Sequence, residues 1–257
     1  MIKKLILFIS AACLVPVVQI CAAGSLEDCA EYAEYGVPGN DGALLCRMGY
    51  LLAHDDELLT PIWVAERLTR EKVLARLPRK DNFRADPDLE PGKRAELADY
   101  KGSGYDRGHM APSADMTWHP IAMDESFLLS NMVPQDSKNN QQIWASLEAY
   151  IRDWAIARGE IIIYTGPIYD NGEANLTIGK NMVGVPDRLY KVIYDTQRKE
   201  AIAFLLPNRP LNPKFLSSYI VSVREIESLT GLNFLSSLPR KEQNRIEKTR
   251  SEMWDRK

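Results

Sequence analysis

One long amphipathic helix among short apolar strands is the feature that most constrains the fold of this chain. The helix is predicted over Gln141–Arg158, because apolar residues recur there every three or four positions. Four runs bounded by turn residues are predicted as strands: Pro61–Leu68, Glu160–Thr165, Leu189–Tyr194 and Ala201–Leu206, the last two forming a hairpin. A second helix is predicted over Leu216–Leu229. Several strands with few, interspersed helices indicate a mixed α+β domain.

The first 23 residues read as a cleavable signal peptide. Lys3 and Lys4 lie near the start, Leu5–Ile20 is largely apolar, and Ala23 is the small residue before the predicted cleavage site. A short membrane anchor is the alternative, but Pro16 and the limited length argue against it. Cleavage would leave residues 24–257 as one domain with no membrane attachment. This pattern predicts a periplasmic or secreted protein.

Cleavage would also leave only two cysteines, Cys29 and Cys46. An even pair in an oxidising compartment is most simply one disulfide. The loop that it closes would contribute on the order of 3 kcal/mol of stability in the chain-entropy model. A catalytic cysteine is the alternative, and it carries little weight because two cysteines in a secreted chain usually pair.

A tetrapeptide in a region of loop composition carries the first chemical signal, Asp106-Arg107-Gly108-His109. His109 is the candidate general base, because an imidazole with an ordinary pKa of about 6.5 is mostly neutral at pH 7. Gly108 would let a substrate phosphate or a neighbouring strand come close. Arg107 can bind a phosphate oxygen bidentately, with a structural ion pair as its alternative. Asp106 is predicted to be structural and to fix the loop.

The predicted long helix carries the second signal, Asn140 and Glu148. On an ideal helix these residues lie two turns apart and differ by about 80° in direction. Asn140 is the candidate metal ligand, because Mg²⁺ prefers oxygen donors and tolerates few protein ligands; a helix N-cap is its alternative. Glu148 is predicted to support the water shell of the ion, for which Mn²⁺ and other divalent cations are alternatives. Asn131 either orients the water or the metal shell or is a satisfied turn residue, with equal weight. His54 and His119 lack the neighbours of a zinc site.

The charge of the chain argues mildly against a protein that binds nucleic acid stoichiometrically. The sequence has 32 basic and 35 acidic residues, whereas such binders are usually basic. A turnover enzyme needs only a local positive cleft. Glu66–Arg84 holds seven basic and three acidic residues, and Arg240–Lys257 is a second basic segment. An ordinary exposed face is the alternative for both segments, and the better one for the second.

Taken in order, these motifs resemble the DNA/RNA non-specific endonucleases, with the endonuclease G branch nearest. The resemblance covers roughly Tyr50 to Pro239. It rests on the Asp-Arg-Gly-His motif followed by Asn131, Pro134-Gln135, Asn140, Trp144 and Leu147-Glu148, with further matches at Gly102-Ser103-Gly104-Tyr105, Tyr164-Thr165-Gly166-Pro167, Ile178-Gly179-Lys180-Asn181, Val185-Pro186, Glu225-Ile226-Glu227 and Thr230-Gly231-Leu232.

The resemblance implies a ββα-metal (His-Me finger) site on a central antiparallel sheet flanked by helices. It implies His109 as base, Asn140 as direct Mg²⁺ ligand, supporting roles for Glu148 and Asn131, and products with 5′-phosphate and 3′-hydroxyl ends. Relatives are often homodimers. Asp81 stands where secreted bacterial members carry a phosphate-clamping arginine, so Arg79 and Arg84 become the candidates for that role.

Two classes of function are therefore open. The first is a metal-dependent endonuclease acting on DNA and RNA, and the second is a nuclease fold that binds nucleic acid without cutting it. The presence of both His109 and Asn140 favours catalysis. Nothing in the sequence resembles a recognition helix or a zinc finger, and phosphate contacts carry no base information, so cleavage without sequence preference is expected.

Overall fold

A computed structural model describes residues 27–39 and 41–256 of the chain. The predicted signal peptide and its cleavage site after Ala23 lie outside the described residues. The described strands are β1 (Ala43–Cys46), β2 (Leu51–Asp55), β3 (Thr60–Thr69), β4 (Tyr105–His109), β5 (Met132–Asp136), β6 (Glu160–Ile168), β7 (Thr177–Ile178), β8 (Val183–Gly184), β9 (Arg188–Asp195), β10 (Glu200–Pro207) and β11 (Ile220–Val221). The described α-helices are α1 (Ala30–Ala33), α2 (Arg70–Leu74), α3 (Leu97–Tyr100), α4 (Pro120–Glu125), α5 (Ala145–Arg158), α6 (Val223–Thr230) and α7 (Arg240–Lys248).

A seven-stranded antiparallel sheet forms the centre of the protein, in the order β1-β2-β3-β6-β9-β10-β11. The four strands predicted from the sequence are confirmed as β3, β6, β9 and β10, and β9 and β10 form the predicted hairpin. Their apolar runs are nearly continuous because both faces of the sheet are covered. Antiparallel strands with separate helices make this an α+β fold.

The two faces of the sheet bury different sets of side chains. On one face α5 and the helical turn just before it pack through Ile143, Trp144, Leu147, Ile151 and Trp154 against alternate residues of β3, β6, β9 and β10. On the opposite face α6 and α7 pack against the intervening residues of the same strands. Alternate side chains of a strand point to opposite faces, so each central strand contributes to both cores.

The predicted long helix begins differently from the sequence prediction. Asn139–Trp144 is a π-helix, and α5 follows it directly. The buried side chain of Asn139 accounts for this, because its Nδ2 donates to the carbonyls of Pro207 and Arg209, and its Oδ1 accepts from Gln135 Nε2. A π turn contains more residues than an α turn, so the angle predicted between Asn140 and Glu148 on an ideal helix does not apply.

The second predicted helix, Leu216–Leu229, is wrong in its first half. Pro213–Tyr219 is a 3₁₀ helix and Ile220–Val221 is the edge strand β11. Helix α6 begins only after Ser222, whose side chain and Glu225 form a reciprocal capping box. It ends at Thr230, one residue beyond the predicted end, and Gly231 caps it in the left-handed conformation with φ of 72°.

Cys29 and Cys46 form the predicted disulfide, which joins the start of α1 to the end of β1. Both cysteines are buried against the core that α6 and α7 cover. Within residues 27–39 and 41–256, no helix has the length and apolar character that crossing a membrane requires.

Candidate active site

A small β-hairpin-like unit and the helix after it build the candidate site. Strand β4, which contains the Asp-Arg-Gly-His motif, pairs antiparallel with β5, and the π-helix and α5 follow β5. Gly108 lies against the side chain of Gln135, and a Cβ at this position would collide with it. The glycine is therefore needed for close approach of the neighbouring strand, one of the two uses that its position suggested.

His109 ends β4 between two aromatic rings. The centroids of the Phe83 and Phe127 rings lie 5.5 Å and 5.3 Å from the imidazole, both edge to face. Its Nε2 is buried and has no hydrogen-bond partner among the described residues. Burial, and then the neighbouring positive charge of Arg79, lower the pKa of His109 to about 3. The imidazole is therefore neutral at pH 7 and can accept a proton.

Asp106 holds the side chain of Asn140. Asn140 Nδ2 donates to Asp106 Oδ2 at 2.9 Å, Gln141 Nε2 donates to the same oxygen at 2.8 Å, and Ser137 Oγ donates to Oδ1 at 2.8 Å. Burial acts to raise the pKa of Asp106, but these hydrogen bonds lower it overall. Because its NH₂ group is bound, Asn140 presents its Oδ1, which accepts no hydrogen bond from the described residues. Asn140 is therefore not the N-cap that was its alternative; that position is Lys138, which makes no side-chain cap bond.

Glu148 projects from the first turn of α5 into the same cleft. Burial raises the pKa of its carboxyl to about 7, while the nearby ammonium of Lys191 acts to lower it. No described side chain donates a hydrogen bond to Glu148. Its carboxylate is thus free for a ligand that carries positive charge.

Lys191 is a fully buried cation beneath the site, on the face of the sheet that α5 covers. Its ammonium donates to the carbonyl of Met110 at 3.2 Å and to Thr165 Oγ1 at 2.8 Å, and it lies 5.1 Å from the centroid of the Trp144 ring. Met110 follows the candidate base, and Trp144 lies between Asn140 and Glu148. Lys191 therefore links the two halves of the site from below.

We expect Lys191→Met to destabilise the protein by about 3 kcal/mol, because removing one partner of a buried charge cluster leaves the others uncompensated. The carboxylates involved include Glu66, which is 2 % exposed and whose pKa is raised by burial and by Asp115 but lowered by Lys191. Urea unfolding measures the effect. Thr165→Val is the matched control and should cost only about 1 kcal/mol, the value of one hydrogen bond. A Lys191→Met variant as stable as the wild type would show that the ammonium is not needed as a counter-charge.

Arg107 and Arg79 reach the site, whereas Arg84 does not. The guanidinium of Arg107 lies 4.0 Å from the centroid of the Phe83 ring and makes no ion pair with a described residue. Arg79 pairs with Asp81 at 2.6 Å and donates to Ser113 Oγ at 3.0 Å. Arg84 pairs with Asp124 at 2.6 Å, outside the cleft. Of the two candidates for the phosphate clamp, only Arg79 lines the cleft.

Asn131 lies behind the site and not in it. Its Nδ2 donates to the carbonyls of Ala111 and Ser126, and its Oδ1 accepts from the backbone N–H of Ala111, all at 2.9 Å. The side chain is fully buried and every polar atom of its amide is bonded. This arrangement corresponds to the satisfied-turn alternative, in which Asn131 fixes the chain just after His109.

The cleft that these side chains share has a volume of about 690 Å³. Its lining is mixed in charge, since it includes both basic and acidic residues. The lining residues are Arg79, Asp81, Phe83, Leu97, Tyr100, Lys101, Tyr105, Asp106, Arg107, His109, Pro112, Ser113, Ala114, Asn140, Ala145 and Glu148.

The oxygen donors in the cleft fit a hard divalent cation with few protein ligands. Within the part of the chain that the structure describes, no three His, Cys, Asp or Glu side chains form a metal cluster. The unengaged Oδ1 of Asn140 and the carboxylate of Glu148 are the kind of donors that Mg²⁺ accepts while it keeps several waters.

Three contributions to the site were missed in the sequence. Phe83 and Phe127 enclose the imidazole, and Lys191 supports the floor. Phe83 lies in Asp81-Asn82-Phe83-Arg84, directly before a candidate for the phosphate clamp, and this position was a usable signal. Phe127 and Lys191 gave no local signal, since each is one residue in a segment that otherwise reads as core.

Comparison with known proteins gives consistent results. A family model described as DNA/RNA non-specific endonuclease matches residues 29–241. The Nuclease EXOG, mitochondrial, of Xenopus laevis is 36% identical over 80% of this chain, which spans 62% of that protein's length. The Endonuclease G, mitochondrial, of Homo sapiens is 34% identical over 81% of this chain and 74% of its own length. A solved EndoG/EndoGI complex contains a chain with a TM-score of 0.78 and 32% identity, covering 84% of this chain and 94% of that one.

The names of these relatives correct one prediction. The N-terminal pattern predicts a periplasmic or secreted protein, but the frog and human relatives, and Nuclease 1 of Schizosaccharomyces pombe at 33% identity, are named mitochondrial. The predicted location is therefore wrong on this comparison. The family model and the level of identity over most of the chain point to the same family as the arrangement of β4, β5 and α5 around the cleft. The chain belongs to the DNA/RNA non-specific endonuclease family.

Proposed function

We propose that this protein is a divalent-metal-dependent endonuclease that hydrolyses phosphodiester bonds in both DNA and RNA without sequence preference. The observation that carries the proposal is the convergence of His109, Arg107, Asn140 and Glu148 on one cleft. They come from two separate segments, β4 and the helix after β5. One neutral base, one unpaired guanidinium and two free oxygen donors are the groups that phosphodiester hydrolysis requires.

His109 is the general base in this proposal. Its neutral imidazole takes the proton from the water that attacks phosphorus, and the edges of Phe83 and Phe127 restrict the orientation of the ring. The carbonyl of Asn131, which accepts from the backbone N–H of Met110 at 3.0 Å, fixes the chain immediately after it. Attack opposite the 3′ oxygen leaves a 5′-phosphate and a 3′-hydroxyl on the products.

Arg107 and Arg79 hold the scissile phosphate in this proposal. The guanidinium of Arg107 has no ion-pair partner in the described part of the chain, and Arg79 has Asp81 and Ser113 as supports that fix its direction. A planar guanidinium can donate to two phosphoryl oxygens at once. Arg84, already bound to Asp124, takes no part.

Asn140 and Glu148 would hold the divalent ion, for which Mg²⁺ is the proposed identity. When bound, the ion supplies charge neutralisation at the phosphoryl oxygens. Asp106 orients Asn140 by binding its NH₂ group, so that the amide oxygen is the atom presented to the cleft. Glu148 supplies the negative charge that a cation needs in a partly buried place.

Residues 24–257 are proposed to act as one nuclease domain, since both cores are built on a single sheet. A homodimer is a further prediction, which sedimentation of the purified protein tests directly.

The alternative function is nucleic-acid binding without cleavage, and the two functions predict different outcomes in one experiment. Such a protein would retain a folded cleft that binds oligonucleotides but would leave them intact with every divalent ion.

Incubation of purified protein with closed circular plasmid DNA and with RNA, in Mg²⁺ or EDTA, tests the proposal. A closed circle has no ends, so its loss requires an endonuclease. We expect both substrates to be degraded with Mg²⁺ and to survive in EDTA, and the DNA fragments to prime a polymerase through their 3′-hydroxyls. Intact substrates from folded protein with Mg²⁺, Mn²⁺ and other divalent ions would leave only the binding function.

Activity should also fall steeply with salt, because a cleft that contacts phosphates releases counterions on binding. For two to three phosphate contacts, the logarithm of kcat/KM at low substrate should fall with the logarithm of salt concentration with a slope of about −2. Initial rates between about 50 and 200 mM KCl measure this slope. A flat response would contradict recognition through the phosphate backbone.

A further inference from the structure

The basic segment Glu66–Arg84 divides into two groups in the structure. Most of its cations are satisfied within the protein: Arg67 by Glu160, Arg70 by the carbonyl of Ile156, Lys72 by Glu31, Arg79 by Asp81 and Arg84 by Asp124. Within the described chain, Arg76 and Lys80 have no such partner. Both are exposed. An exposed cation that is not bound within the protein is available to bind a phosphate of a nucleic-acid substrate.

Arg76 stands at the edge of a second cleft, called here the Arg76 cleft. It has a volume of about 400 Å³ and lies between the chain after α2 and the outer side of α5. Its cationic rim is Arg76, Arg152 and Arg256, and Val73 and Ile156 contribute to an apolar floor.

The Arg76 cleft adjoins the active-site cleft. Ala114 lines both clefts. Ser113 of the active-site cleft directly precedes Ala114, and Ala145 of the same cleft lies one helical turn from Ala149 of the Arg76 cleft. The backbone that carries Arg76 is anchored, because Thr117 Oγ1 donates to the carbonyl of Ala75 at 2.7 Å and Leu77 N–H donates to the carbonyl of Thr117 at 3.0 Å. A strand that leaves the scissile phosphate toward Ala114 reaches a fixed surface.

The three arginines of the rim differ in whether they are already bound to a carboxylate of the protein. Arg152 pairs with Asp115 at 2.9 Å, and Arg256 pairs with Asp153 while its guanidinium lies 4.2 Å from the Tyr150 ring centroid. Arg76 has no ion-pair partner among residues 27–39 and 41–256, so the excess positive charge of the cleft is concentrated on it. The volume of the Arg76 cleft is within the range of clefts that accept a small organic group, and its apolar floor suits a nucleobase or sugar.

We propose that the Arg76 cleft binds the nucleic-acid backbone next to the scissile phosphate, with Arg76 donating to a flanking phosphate. The inference rests on the proposed nuclease function and adds to it a requirement for substrate length. Chains long enough to occupy both clefts bind more tightly than chains that occupy only the first.

Equilibrium binding of 5′-fluorescein DNA oligonucleotides of 4 and 12 nucleotides, followed by anisotropy in EDTA, tests this without cleavage. Wild-type protein should bind the 12-mer more tightly than the 4-mer. Arg76→Glu should weaken 12-mer binding about tenfold and make the salt slope shallower by about 1. Arg240→Glu is the matched control, since Arg240 is also exposed but begins α7 on the opposite face of the sheet; it should keep the wild-type affinity.

The outcomes separate the two proposals. If the wild type cleaves plasmid and Arg76→Glu binds the 12-mer with wild-type affinity and salt slope, the subsite is absent and the nuclease function stands. If the wild type cleaves nothing but Arg76→Glu weakens 12-mer binding while Arg240→Glu does not, the subsite stands on a binding protein. Equal weakening by both variants would show a general charge effect and overturn the subsite.

Discussion

His109→Ala is expected to lower kcat for plasmid cleavage by roughly a thousandfold, the scale of a lost general base. The imidazole is neutral at pH 7 and can accept a proton, since burial and Arg79 hold its pKa at about 3. Binding of the 12-mer should be retained, because Arg107 and Arg79 are unchanged. Initial rates at saturating substrate measure the loss.

Two further variants make this result decisive. His119→Ala removes the other half-buried histidine, whose Nδ1 accepts from the backbone N–H of Ile121 at the start of α4. It should cost a little stability but no activity. His109→Gly with added imidazole should recover part of the lost rate, because the small base can occupy the space between Phe83 and Phe127. A His109→Ala protein that cuts at a near wild-type rate would remove His109 from the chemistry.

Asn140→Ala is expected to have an effect of similar size through the metal. It removes the amide oxygen that Asp106 orients toward the cleft, and with it several kcal/mol of charge stabilisation, or a loss of about a thousandfold at fixed Mg²⁺. A Mg²⁺ titration of the cleavage rate should show half-saturation at a much higher concentration. This separates loss of the ion from loss of the base, since His109→Ala should leave half-saturation unchanged.

Gln141→Ala is the matched control for this variant. Gln141 donates to the same oxygen of Asp106 as Asn140 does, but it is exposed and does not line the cleft. It should therefore keep the wild-type dependence on Mg²⁺. If Asn140→Ala and Gln141→Ala behave alike, with wild-type rate and half-saturation, Asn140 does not hold the ion.

Much of the fold could be predicted because its signals are local. The strands β3, β6, β9 and β10 carry dense apolar runs that only burial on both faces explains. The π-helix could not be predicted, because its cause is distant. Asn139 is held by the carbonyls of Pro207 and Arg209, which lie 68 and 70 positions along the chain. The 3₁₀ segment before α6 was missed for a related reason, since a helical pattern there is overridden by the pairing of β11 with β10.

The site was predictable to the extent that motif residues carry it. His109, Asn140, Glu148 and Arg107 lie in one cleft as their order in the sequence suggested. Asn131 does not line it, and burial of all its amide atoms could not be read from a turn composition. Whether Arg79 or Arg84 lines the cleft depended on the tertiary structure. Arg79 pairs with Asp81 at the cleft, whereas Arg84 pairs with Asp124 outside it. The N-terminal pattern predicted a location that the names of the relatives contradict.

The π-helix fixes the number of residues between Asn140 and Glu148, the two proposed metal ligands. Its wider turn accommodates one residue more than an α turn would, and Gln141 and Gln142 on its outer side are exposed. Of these two, Gln141 donates to Asp106, and no hydrogen bond of the Gln142 side chain to a described residue is present. Shortening the chain by a single residue would instead rewind the turn and swing Asn140 around the helix axis by about a quarter of a revolution, which is the α-helical angle per residue. In this stretch a deletion would therefore disturb the site more than a substitution of an exposed side chain.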